Sequence, residues 1–499
     1  MTNHLFDPLF GRHAENDAPF LMLEAGTLSY RAFVALSAQM ANVFAELGLQ
    51  KGDRVAVQTE KSAAALAIYA ACLRAGVILL PLNTAYTTHE LAYFTADAEP
   101  ALVICDPARV EAIRGILPEQ THVLTLDAAG HGTLAERAAM QPRDQTPVAC
   151  GPTDLAAILY TSGTTGRSKG AMLSHDNLLS NGATLVDAWQ FSAADVLLHA
   201  LPIFHTHGLF VAVNASALSG AAMIFHAGFR VQDVLRDVPR ATVLMGVPTF
   251  YTRLLAEPAF TRDLVAHMRL FVSGSAPLLA ETHTEFQTRT GHRILERYGM
   301  TETNMNVSNP YAGERRAGTV GFPLNGVEIK ITDPNTAETL PQGAIGMIEV
   351  RGPNVFQGYW RMPEKTAEEL RADGFFITGD LGQIDADGYV SIVGRQKDLI
   401  ISGGYNIYPK EIEVILDALP GVVESAVVGL PDADFGEAVI AVVVPVAGVT
   451  LDPEALMEMV RPQIARFKHP RRIHVMADLP RNTMGKVQKN VLRDVLKAG

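Results

Sequence analysis

Ten consecutive residues, Thr161-Ser-Gly-Thr-Thr-Gly-Arg-Ser-Lys-Gly170, place three glycines and two cations directly after the apolar stretch LAAILY. Gly163 and Gly166 let backbone N–H groups converge on an anion. The hydroxyls of Thr161, Ser162, Thr164 and Thr165 add donors, and Lys169 can neutralise phosphate charge. The GK[ST] ending of a Walker A loop is absent. Taken alone, the segment reads equally well as an ordinary Gly/Ser/Thr turn, so the rest of the chain has to decide.

Other reactive side chains recur in short, spaced runs. YGMTE spans 298–302, TGD spans 378–380, GRQKDLIISGGYNIYPKEIE spans 394–413 and PRNTMGK spans 480–486. Lys486 follows Gly485 on a polar turn before the last helical stretch, which suits delivery of a single cation. His205 and His207 follow an apolar strand and a proline, and VSGSAPL carries Gly274, Ser275 and Ala276 on a strand that runs into a turn. The three cysteines, Cys72, Cys105 and Cys150, lie far apart without CxxC spacing, which argues against a disulfide framework and a zinc site.

The elements that must position these residues alternate between helices and buried strands. Residues 28–47 and 64–76 read as helices, and VILLPLN and ALVICD as apolar strands. The pattern returns at 240–272, which implies α/β layers with buried sheets. From about residue 325, GVEIKITD, GMIEVRG and GYVSIVGR are short alternating strands of a β-rich subdomain, with a hairpin turn at 385–388. After Arg395 a helix from Pro409, strands near 422–429 and 438–445, a helix near 453–466 and a strand at 473–477 form a compact α/β segment. The expected architecture is a large N-terminal domain, 1–395, and a small C-terminal α/β domain, 396–499, joined at Arg395–Asp398.

Bulk properties fit a globular protein with a large core and more than one domain. The 499 residues are 48% apolar and 19% charged, with a formal net charge of −12. No global basic field draws the chain to nucleic acid or to an anionic membrane. The N-terminus lacks an apolar signal region, so the cytoplasm is the expected compartment.

Taken in order, the loop at 161–170 and the four later runs resemble the signature of the acyl-adenylate-forming (AMP-binding) superfamily, which includes acyl-CoA synthetases. The resemblance covers the chain from about residue 20 onward. It implies two half-reactions. A carboxylate first attacks the α-phosphorus of ATP and releases pyrophosphate, and coenzyme A then displaces AMP. Both depend mainly on placing and neutralising phosphate.

The resemblance assigns roles residue by residue. Lys486 bridges the attacking carboxylate and the α-phosphate from a mobile lid. Tyr298 stacks near adenine, with Glu296 beside it, Thr301 meets a phosphate oxygen and Glu302 ligates Mg²⁺. Asp380 and Arg395 hold the ribose hydroxyls, and Gly274, Ser275 and Ala276 face the adenine or acyl group. His205 positions the acyl region. It need not be a base, because a carboxylate nucleophile already lacks its proton at pH 7. Lys397 matches the hinge, and Gly403 and Gly404 line the pantetheine path. Relatives are switched off by acetylation of the lysine at 486, which implies a lysine acetyltransferase and deacetylase as partners.

At finer grain LNTAYT (82–87), HTHG (205–208) and ERYGMTETN (296–304) resemble malonyl-CoA synthetases. An arginine at 297, beside an acyl pocket, is costly unless it meets an anion, and a second substrate carboxylate supplies one. The competing reading is an internal Arg297–Glu296 pair. Arg253, after GVPTF, is a second candidate clamp. The expected substrates are malonate, ATP and coenzyme A. The alternatives are methylmalonate or another short acid, and an inactive nucleotide-binding regulatory protein.

Overall fold

The computed structural model describes residues 2–161, 168–402, 405–432, 435–482 and 485–498. The chain divides into two compact units, one made of 1–317, 321–328 and 350–376, the other of 318–320, 329–349 and 377–499.

The first unit contains two sheets. A six-stranded sheet runs His122–Thr125, Leu102–Cys105, Arg54–Gln58, Ile78–Pro81, Leu155–Thr161, Lys169–Ser174. Its first five strands are parallel and the last is antiparallel. A nine-stranded sheet has six parallel strands at its centre, from Leu295–Met300 to Pro19–Leu23, and antiparallel strands on both flanks. Strands such as Leu102–Cys105, Val243–Gly246 and Leu270–Ser273 are buried at every residue, as parallel strands covered on both faces require.

The helix expected over 28–47 begins at Tyr30. Gly26–Ser29 is a strand, and Ser29 is the helix N-cap, its hydroxyl accepting the Ala32 N–H at 3.2 Å. The helix expected over 453–466 ends at Val460 and gives way to tight turns at Arg461–Gln463 and Arg466–Lys468. Pro462 has no N–H to continue the helical ladder.

In the second unit, a four-stranded sheet orders Glu328–Thr332, Gly346–Arg351, Phe376–Ile384 and Val390–Arg395. A five-stranded sheet is built around the long antiparallel pair Val422–Asp432 and Gly436–Pro445. Alternate residues of Gly436–Pro445 serve two cores. Val439, Ala441 and Val443 pack with Ile412, Leu416, Leu456 and Val460, whereas Ile440, Val442 and Val444 pack with Leu479 and Leu492 of the final helix. Among the described residues, no helix is long and apolar enough to cross a membrane.

Candidate active site

The phosphate-loop residues Ser162, Gly163, Thr164, Thr165 and Gly166 lie outside the described residues, and so do Gly403 and Gly404. The ends of the first loop are nonetheless defined. Thr161 and Lys169 are cross-strand partners in an antiparallel hairpin. Lys169 Nζ lies 3.0 and 3.1 Å from the two Glu369 carboxylate oxygens and 4.0 Å above the Tyr359 ring. The Tyr359 hydroxyl sits 2.6 Å from Glu369 Oε2 and 3.1 Å from Oε1 of the buried Glu302. Burial raises the Glu369 pKa, but hydrogen bonds from Tyr359, Lys169 and Lys365 outweigh it and hold the carboxyl below its ordinary value. Burial, followed by the two carboxylates, raises the Tyr359 pKa, so the phenol keeps its proton as a donor.

Tyr359 thus touches both Glu302 and Lys169. Thr301 and Tyr298 lie half-buried on the same hairpin, Leu295–Met300 with Asn304–Ser308. Among the described residues no group of three or more His, Cys, Asp or Glu side chains could hold a metal ion. A single buried carboxylate is a donor set that fits Mg²⁺, which takes one or two protein carboxylates and completes its shell with water and phosphate.

Arg297 points the other way from Glu296, as successive strand residues do. Glu296 Oε1 accepts the Leu278 N–H at 3.1 Å. Arg297 is 3% exposed, and its Nε and Nη2 are buried without a hydrogen-bond partner among the described residues. Burial pushes its pKa down to about 9, with the charge of Glu296 and the nearby Tyr251 opposing. It is therefore a cation at neutral pH, buried with unused donors. Its guanidinium lies on Gly274, where a Cβ would come within 2.4 Å of Cζ.

Ser275, next along, has φ +69° and approaches the His207 Nδ1 at 3.3 Å. The pKa of buried His207 is lowered well below its ordinary value, chiefly by burial and then by the Arg297 charge. Its Nε2 is buried and unpartnered among the described residues, as are Ser273 Oγ and Thr206 Oγ1. His205 is half-exposed, and the His207 N–H approaches its Nδ1 at 3.5 Å. Arg253 is on the exposed face of the helix Pro248–Leu255, which turns Phe250, Tyr251, Leu254 and Leu255 inward.

In the second unit Asp380 and Arg395 are cross-strand partners with a 2.6 Å ion pair. Lys397 is exposed on the tight turn Gln396–Asp398. Lys486 sits in a braced turn. Its N–H donates to Asn482 Oδ1 at 2.9 Å, and its carbonyl accepts the Asn482 N–H at 2.9 Å. Arg481 donates to the Gly485 carbonyl at 2.8 Å and pairs with Glu424. The exposed Tyr405 and Phe467 rings stack at 4.6 Å, and Arg471 lies 4.4 Å over the exposed Phe435 ring, on a unit that also exposes Arg466 and Arg472.

Tyr359 and Glu369 escape a reading of the sequence alone. They stand about 200 residues from Lys169, in a run that looks like an ordinary aromatic turn and the polar face of a helix. The unpartnered polar atoms of His207 and Ser273 escape it as well, because only the fold shows what is missing around a polar group.

The profile of the AMP-binding enzyme matches residues 11–360, and that of the AMP-binding enzyme C-terminal domain matches 411–486. A malonate–CoA ligase of Arabidopsis thaliana is 35% identical over 90% of this chain and 79% of its own length. A feruloyl-CoA synthase of an Amycolatopsis species is 35% identical over 93% of each chain. The crystal structure of ATP-bound MatB from Rhodopseudomonas palustris is 58% identical, covers 100% of this chain and 99% of its own, and superposes with a TM-score of 0.98. On both counts, sequence profile and structure, the chain belongs to the AMP-binding enzyme family.

Proposed function

We propose that the protein is a malonate–CoA ligase that converts malonate, ATP and coenzyme A to malonyl-CoA, AMP and pyrophosphate through a malonyl-adenylate. The observation that carries the choice of acid is Arg297. Relatives at 35% identity are named for an aromatic and for a dicarboxylic acid, so similarity at that level does not select the substrate, while the 58% identical MatB supports malonate. A buried guanidinium with unused donors does, because stranding it is costly unless an anion arrives. The carboxylate of malonate that does not react is such an anion, one methylene from the reacting one. Arg253, exposed on its helix, is the weaker, assisting candidate.

In this reading the segment between Thr161 and Lys169, which carries Ser162, Gly163, Thr164, Thr165 and Gly166 in its sequence, receives the ATP phosphates. Gly274, Ser275, Ala276, Tyr298 and Glu296 border the adenine and acyl groups, Thr301 meets a phosphate oxygen and His205 closes the acyl region. Glu302 would hold Mg²⁺, which when bound neutralises triphosphate charge. Asp380 and Arg395 take the ribose hydroxyls. Residues 396–499 act as the lid on residues 1–395, turning at Lys397. Lys486 neutralises the charge that builds between carboxylate and α-phosphate, so acetylation there would silence adenylation. The thiol arm of coenzyme A passes Gly403 and Gly404, and the exposed aromatic rings and arginines of the second unit support docking of its nucleotide end.

An ATP- and coenzyme A-dependent screen of short mono- and dicarboxylates, with product masses recorded, tests the proposal. Malonyl-CoA should dominate. A preference for methylmalonate or a monocarboxylate would replace the acid, and absence of acid-dependent pyrophosphate exchange would leave a nucleotide-binding regulatory protein.

A further inference from the structure

The contacts of Tyr359 reach further than the family motifs. Its hydroxyl has one proton and two carboxylate neighbours, Glu369 at 2.6 Å and Glu302 at 3.1 Å. Glu369 is fixed in turn by Lys169 and by Lys365 at 3.0 Å. The Tyr359 ring is 2% exposed and is clamped edge-on by Phe356 at 4.8 Å, with the Lys169 ammonium 4.0 Å over its face. The phenol therefore has no freedom to follow a moving partner. A rigid donor beside a carboxylate restricts the orientations that carboxylate can take. Groups that orient a metal-binding side chain in this way commonly set metal affinity within about 10–100-fold.

We propose that Tyr359 is a positioning residue for Glu302: anchored by Glu369, it aims the Glu302 carboxylate so that a divalent cation and the ATP triphosphate are bound together. The inference rests on the assignment of Glu302 to the cation. It concerns binding before any chemistry, so it can be read without turnover.

The test is calorimetric titration of the full chain with ATP, once with EDTA and once with MgCl₂, for the wild type, Tyr359→Phe and Glu302→Gln. Phenylalanine keeps the ring and its packing and removes only the hydroxyl. The expected result is that Tyr359→Phe binds metal-free ATP within about twofold of wild type but loses about tenfold of the affinity gained on adding Mg²⁺. Glu302→Gln should lose that gain almost entirely. An unchanged or larger Mg²⁺ gain in Tyr359→Phe would overturn the inference, and so would an equal loss with and without metal, which marks a structural role. If Tyr359→Phe does not fold, Glu369→Gln decides. Because it also releases Lys169, its Mg²⁺ gain is read against its own metal-free affinity; that gain should fall by at least about threefold, and no fall overturns the inference. A Glu302→Gln protein that keeps the full gain would instead remove the cation from Glu302, a separate failure of the underlying assignment.

Discussion

The Arg297 guanidinium lies so close to Gly274 that a single added carbon at 274 would come within 2.4 Å of Cζ. Gly274 does not have a positive φ, so alanine is allowed by the backbone and forbidden only by the arginine. Gly274→Ala should therefore push the guanidinium aside. The expected outcome is a fall of about tenfold in kcat/KM for malonate, equivalent to about 1.4 kcal/mol, with a smaller change for propionate. Steady-state kinetics on both acids, with Tm as a control, measure it.

Lys486→Ala should bind ATP and fold normally while malonate-dependent pyrophosphate exchange falls by about 100-fold or more, the scale of losing one charge stabiliser of a transition state. The bracing of the turn by Arg481, Asn482 and Gly485 does not depend on the lysine side chain, which is why folding should survive. Thioester formation from preformed malonyl-adenylate should suffer much less. Near-normal exchange would remove Lys486 from adenylation.

Bulky replacements at Gly403 or Gly404 should harm thioester formation more than adenylation. Comparing pyrophosphate exchange with coenzyme A-dependent turnover separates the two. Equal losses in both would place these glycines outside a path specific to the thiol.

Asp417 provides a test of pH-dependent stability. Burial lifts its carboxyl to about 6 despite the Ser425 hydroxyl bond at 2.7 Å and the Lys410 charge, with the Glu413 charge adding to the rise. The folded state thus favours the proton. That contribution is fully present below the unfolded value of 3.8 and is lost as pH rises through about 6. Asp417→Asn should raise stability at pH 7 by roughly 1–3 kcal/mol and flatten the pH dependence between about 4 and 6. Denaturation of wild type and variant across this range reads the result, and an unchanged profile would contradict it.

Much of this was legible in the sequence for physical reasons. The apolar run near 438–445 marked a strand, and Pro409 marked a helix start. Glycine, hydroxyl and cation spacing singled out the segment 161–170, whose ends Thr161 and Lys169 pair across a hairpin. Arg297 stood out because a buried charge demands a partner. What stayed hidden depends on long-range packing, as with Glu369 meeting Lys169 or Ser275 meeting His207. Arg253 shows a different limit. The apolar positions 250, 251, 254 and 255 already set the buried face of its helix and leave 253 outward.

The central claim is that Arg297 reads the second carboxylate of malonate, and kcat/KM for malonate and propionate in wild type and Arg297→Ala tests it most directly. A charge-assisted contact contributes about 1.5–3 kcal/mol, so malonate should lose at least about tenfold while propionate loses far less or gains. A parallel drop for both acids, or no drop for malonate at an unchanged Tm, would contradict the account.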